Sequence, residues 1–168
     1  MTIRFLFTAA FAASSIVAAS SVAHADGTIR SPGDNPKYVI EIEPHLLVGY
    51  ADPLAGASPG FGFGARFSIP LMDPGFVSSI NDTIAITFGA DVLLYRNDVV
   101  AFPVALQWNF YVAPQWSVMG EPGLEIDAGD GARIHPALWL GGRYHFSDHL
   151  ALTMRIGFPT FSLGLSFM

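Results

Sequence analysis

From Tyr38 to the end of the chain, apolar side chains recur at every second position in eight successive segments. A period of two puts them on one face of an extended strand and every other residue on the opposite face. The second segment is the clearest case. Phe61, Phe63, Ala65, Phe67 and Ile69 alternate there with Gly60, Gly62, Gly64, Arg66 and Ser68. The remaining segments begin near Ile40, Ile84, Phe102, Trp116, Arg133, Leu150 and Thr160. Arg96-Asn97-Asp98, Ala113-Pro114-Gln115, Gly129-Asp130-Gly131, Ser147-Asp148-His149 and Pro159-Thr160 separate consecutive segments and have the composition of turns. Hairpin pairing must keep each apolar set on one side. Asp127 opposite Arg133, Glu125 opposite His135 and Glu121 opposite Trp139 satisfy that condition. A two-residue loop at Pro159-Thr160 does so as well, setting Phe158 opposite Phe161 and Ile156 opposite Leu163. The pattern predicts an all-β chain, an eight-stranded antiparallel up-and-down barrel over residues 38–168.

Composition decides which face points inward. Charged residues make up 13% of the chain, about half the share of an ordinary soluble domain, roughly 25%. A soluble barrel would need a charged outer coat, whereas the second face here is largely Gly, Ala, Ser and Thr with scattered charges. The opposite arrangement fits, with apolar residues toward lipid and small or polar residues in the lumen, which makes the barrel transmembrane. Aromatics near the segment ends suggest two interfacial girdles. Tyr38, Phe110, Tyr111, Trp116, Tyr144, Phe146 and Phe167 belong to one rim, and Tyr50, Phe61, Tyr95, Phe102, Phe158 and Phe161 to the other. Pro44, Pro122 and Pro136 fall inside strands, where a closed barrel has no free edge, so bulges or broken ladder bonds are expected at them.

These features resemble the small eight-stranded outer-membrane β-barrel proteins of Gram-negative bacteria. The resemblance covers Tyr38 to Met168 as a pattern. It includes the aromatic-flanked short turns around Pro114-Gln115 and Ser147-Asp148 and a final strand of alternating apolar residues. It implies an outer-membrane location, contact with outer-membrane lipids and lipopolysaccharide, and delivery by the barrel-assembly machinery. That machinery usually reads a terminal Phe or Trp. Here Phe167 is penultimate and Met168 is last.

The N-terminal part reads differently. Arg4, the short apolar run Phe5 to Ala19 and Ala23-His24-Ala25 make residues 1–25 a secretory signal peptide, cut before Asp26. Residues 26–37 read as a flexible tail with two Pro and two Gly. The chain has seven Arg, one Lys and a formal net charge of −6, so nothing forms the basic face that nucleic acid requires. With no cysteine, it has neither disulfides nor thiolate chemistry.

The candidate site is the lumen. Its expected charge network is Glu41, Glu43, His45, Arg66, Asp91, Glu121, Glu125, Arg143 and Arg155, with Gln107, Asn109, Asp127, Arg133, His135 and His145 also facing inward. Buried charges persist when they pair with one another, so the expected role is structural, with Glu43, Arg66, Glu121, Arg143 and Arg155 at the centre. A narrow ion-conducting pore is the second reading of the same residues. A lipid A acyltransferase or deacylase is the third, and it lacks a Ser or Asp activated by a His at the outer rim. His45, His135 and His145 stand at differing heights and do not form a ligand set. No catalytic, metal or cofactor site is therefore assigned. The longest connection, Met72 to Asp82, is expected on the periplasmic side, where Phe76, Val77 and Ile80 pack locally or meet a periplasmic partner.

Overall fold

The computed structural model describes residues 35–49, 60–77, 80–94, 99–128, 132–158 and 160–168. The signal peptide, most of the tail, Tyr50, Tyr95 and the turn centres at 96–98 and 129–131 lie outside the described residues. Eight strands follow one another: β1 (Glu41–Gly49), β2 (Gly60–Met72), β3 (Asp82–Leu94), β4 (Val99–Ala113), β5 (Trp116–Ala128), β6 (Arg133–Ser147), β7 (Leu150–Gly157) and β8 (Thr160–Phe167). Each pairs antiparallel with its neighbours in sequence, and β1 pairs with β8, which closes the barrel. Closure gives every strand two neighbours.

The ladder is sheared. From His45 one way round, the partners are Gly164, Thr153 and Arg143. The other way they are Gly64, Asp91, Ala101, Asp127 and Arg133. The two paths meet β6 ten residues apart, an offset that tilts the strands by about 40° and leaves a lumen only wide enough for side chains.

Alternation settles every strand as the two-residue period predicts. β1 alternates strictly between buried and exposed positions, and so does β8. The β5–β6 register sets Asp127, Glu125 and Glu121 opposite Arg133, His135 and Trp139. The β7–β8 register differs from expectation, since Ile156 faces Phe161 and Met154 faces Leu163. The expected loop would have put Pro159 at its first position, where a two-residue hairpin favours positive φ and proline is locked near −65°; instead β7 ends at Gly157 and β8 begins at Thr160. The shift is by two residues and leaves both faces unchanged.

Pro44 and Pro122 interrupt a ladder without bulging the strand. The β1–β8 partners pass from Ile42↔Phe167 to His45↔Gly164 around Pro44, and the β4–β5 partners pass from Ala105↔Gly123 to Trp108↔Gly120 around Pro122. Pro136 lies on a stretch of β6 beyond the last β7 partner. The bulges fall instead at Pro70/Met72, Tyr111/Ala113 and His145/Ser147, all at the end of the barrel that carries the chain termini.

The connection after β2 packs locally. Phe76 meets the edge of Trp108 at 6.0 Å, Gly75 N–H donates to the Asp82 carbonyl, and Trp108 Nε1 donates to Asp82 Oδ2 at 2.7 Å. Ile84, on the otherwise exposed face, is buried.

Candidate functional site

The lumen inverts the usual core. Glu41, Glu43, Glu121, Arg143 and Arg155 are each 2% exposed or less, whereas Leu46 is 69% and Phe61 73% exposed. Such inversion follows from the alternation, because these five charged residues occupy the face of small side chains. Glycines make the room. A Cβ at Gly64 would stand 2.3 Å from Asp91 Oδ1 and 2.7 Å from His45 Nε2, and one at Gly157 would stand 2.2 Å from Trp139 Cδ1.

Six side chains close a circuit of alternating charge type across the lumen. Arg155 Nη1 donates to Glu43 Oε1, and its Nε lies 3.0 Å from both Glu121 oxygens. Arg66 continues from Glu121 Oε2 at 3.5 Å to Asp91 Oδ2 at 3.4 Å. His45 Nε2 meets Asp91 Oδ1 at 2.9 Å, and its Nδ1 lies 3.9 Å from Glu43 Oε1. Toward the terminal end, Arg143 Nη2 is 2.5 Å from Glu41 and 3.9 Å from Glu43.

Neutral groups from the remaining strands complete the network. Gln107 Nε2 on β4 donates to Glu121 at 2.7 Å, Ser166 on β8 donates to Glu43 at 3.1 Å, and Thr153 accepts from Arg143 Nε at 3.1 Å. All eight strands therefore contribute. Of the nine residues singled out from the sequence, eight meet in this network. Glu125 stands apart, nearer the far mouth, with His135 Nε2 at 3.8 Å.

Both ends of the lumen hold rings. At the terminal end Tyr111 is buried, 5.7 Å from the ring of His145, and Ser117 Oγ lies 3.1 Å from His145 Nε2. Tyr38 is half-buried beside Glu41, and burial together with that carboxylate pushes its phenol pKa up, so it stays a neutral hydroxyl. Tyr38 and Tyr111 thus fill the lumen mouth and do not join the outer girdle. Of the residues expected there, Phe110, Trp116, Tyr144 and Phe146 lie in aromatic contacts of about 5 Å, joined by Trp108, and Phe167 is exposed. Above the circuit, the Arg66 guanidinium stacks 4.7 Å from the ring centre of buried Trp139. Alternation placed Trp139 inward, but nothing in the sequence signalled its partner 73 residues earlier.

No protein-family model matches this chain, and no curated protein matches it by sequence. Solved structures do match. A de novo designed transmembrane β-barrel aligns over 83% of this chain and 98% of its own, at 15% identity and a TM-score of 0.53. A second, the designed barrel TMB2.3, covers 85% of this chain and 96% of its own, with the same identity and score. The outer membrane protein Ail of Yersinia pestis, determined in a phospholipid bilayer nanodisc, aligns over 76% of this chain and 97% of its own at 10% identity, with a TM-score of 0.49. At these identities the designed barrels share the fold: a closed, antiparallel eight-stranded barrel of transmembrane type.

Proposed function

We propose that this chain is an integral outer-membrane barrel with a structural, membrane-integrity role, a lumen sealed by its own side chains, and no catalytic activity. The observation that carries this reading is the inverted partition: an outward wall of exposed Leu, Ile, Val and Phe around a buried ring of paired charges. In water such a wall far exceeds the apolar patches that monomers tolerate. In lipid it is the expected surface. On this reading outer-membrane lipids and lipopolysaccharide meet the outward wall, and the barrel-assembly machinery engages β8. The guanidinium and carboxylate groups of the circuit are engaged with one another, which supports closure over conduction and leaves no activated nucleophile among them.

Planar-bilayer conductance of refolded residues 26–168 tests this, with unheated and boiled SDS gels to establish folding. A heat-modifiable, non-conducting barrel is the expected result. Unit steps reduced by Glu43→Gln or Glu121→Gln would establish a pore instead. A chain that stays soluble without detergent would overturn the membrane assignment. Mass spectrometry of lipid A with and without the protein is expected to show no change, and an altered acyl pattern would make the barrel an enzyme.

A further inference from the structure

We propose that Glu125, Asp127 and His135 form a binding site for one divalent transition-metal ion, with Zn2+ the best chemical match, at the mouth remote from the chain termini. The strands build the donor set. Glu125 and Asp127 lie two residues apart on β5 and share the lumen face, and His135 is the cross-strand partner of Glu125 on β6. His135 Nε2 is 3.2 Å from Asp127 Oδ2 and 3.8 Å from Glu125 Oε1. One ligand atom from each residue lies within 4.8 Å of the other two. Zinc bonds of about 2.0–2.2 Å in tetrahedral geometry set ligand atoms roughly 3.4 Å apart. Two of the spacings straddle that value. The rest closes by rotating His135 and Asp127, whose side chains are 39% and 30% exposed.

The second observation is Glu125 itself. The residue is 8% exposed, and among the described residues its ion-pair contact is His135, inside the cluster. Every carboxylate of the circuit is instead matched by guanidinium, amide, hydroxyl or imidazole groups. A cation shared with Asp127 and His135 would give the Glu125 carboxylate a matching counter-charge. Among the described residues no Arg or Lys forms an ion pair with any of the three. Arg133, the register partner of Asp127, is exposed. One imidazole with two carboxylates selects zinc or a neighbouring transition metal over Ca2+, which takes six to eight oxygens. Three protein ligands would leave a tetrahedral ion a fourth position for water. The site does not depend on whether the lumen conducts.

Calorimetric titration of ZnCl2 into untagged, refolded residues 26–168 in detergent micelles tests the site. One ion per chain is expected, with affinity falling at least about tenfold in His135→Ala and in Glu125→Gln, unchanged in His149→Ala at the opposite end, and weaker for CaCl2. Absence of saturable zinc binding, equal loss in His149→Ala, or tighter calcium than zinc would overturn the proposal. Unheated gel mobility verifies that each variant folds. Should His135→Ala not fold, Asp127→Asn is held to the same tenfold criterion.

Discussion

Arg155 is the residue on which the lumen most depends, because it alone bridges Glu43 and Glu121. Arg155→Met keeps the bulk and removes the charge, leaving two buried carboxylates without their main partner. A loss of about 3–5 kcal/mol is expected, read as a lower denaturant midpoint of the refolded barrel. Arg66→Met should cost less, since its ion pairs are longer, at 3.4 and 3.5 Å, and the methionine keeps contact with Trp139. The glycines divide in the same way. Gly157→Val drives a methyl into Trp139 and should destabilise by about 1–3 kcal/mol. Gly142→Ala meets only Ser117 O at 3.9 Å, so its midpoint should shift by less than about 0.5 kcal/mol. Which glycines make room was legible only in part. Alternation marks the inward ones, but the large side chain that fills each gap comes from another strand.

Among the elements, β1 is the most informative, because it closes the barrel and carries a proline in mid-strand. The ladder to β8 skips Pro44 without shifting register, so the fault is a missing donor and not a misplaced residue. Pro44→Ala should supply that donor and gain about 0.5–1.5 kcal/mol, offset by about 0.4–1 kcal/mol from the freer unfolded chain. The net change in stability is therefore small. Hydrogen exchange reads the difference directly: the new amide at position 44 should be protected, and free exchange there would mean that β1 and β8 are held apart for another reason. Strand existence, order and facing were readable from the sequence because period, turn composition and hairpin parity agree. The β7–β8 register was not, because parity admits every shift of two residues.

For the whole molecule, the decisive property is which solvent touches the wall. Leu140 is 55% exposed on the outward face, next in chain to Trp139, which pairs with Glu121. Leu140→Arg should cost about 2–4 kcal/mol in phospholipid vesicles if that height is near the bilayer midplane. In a water-soluble barrel the same change would be close to neutral, so unfolding equilibria in vesicles discriminate the two. The sequence by itself determined the architecture: an alternation repeated eight times, too few charges for a solvated coat, and polar residues confined to the face of small side chains leave a closed, inverted barrel as the consistent solution. It also named the inward-facing charges, since parity requires only local order. Partnership was decided by the tertiary structure. Arg66 meets Glu121 across 55 residues and Arg155 meets Glu43 across 112, because the ten-residue shear sets which heights on distant strands coincide. The same shear leaves Glu125 outside the circuit, with Asp127 and His135 at the mouth. A strand's period fixes where a side chain points, but only closure of the sheet fixes what it meets.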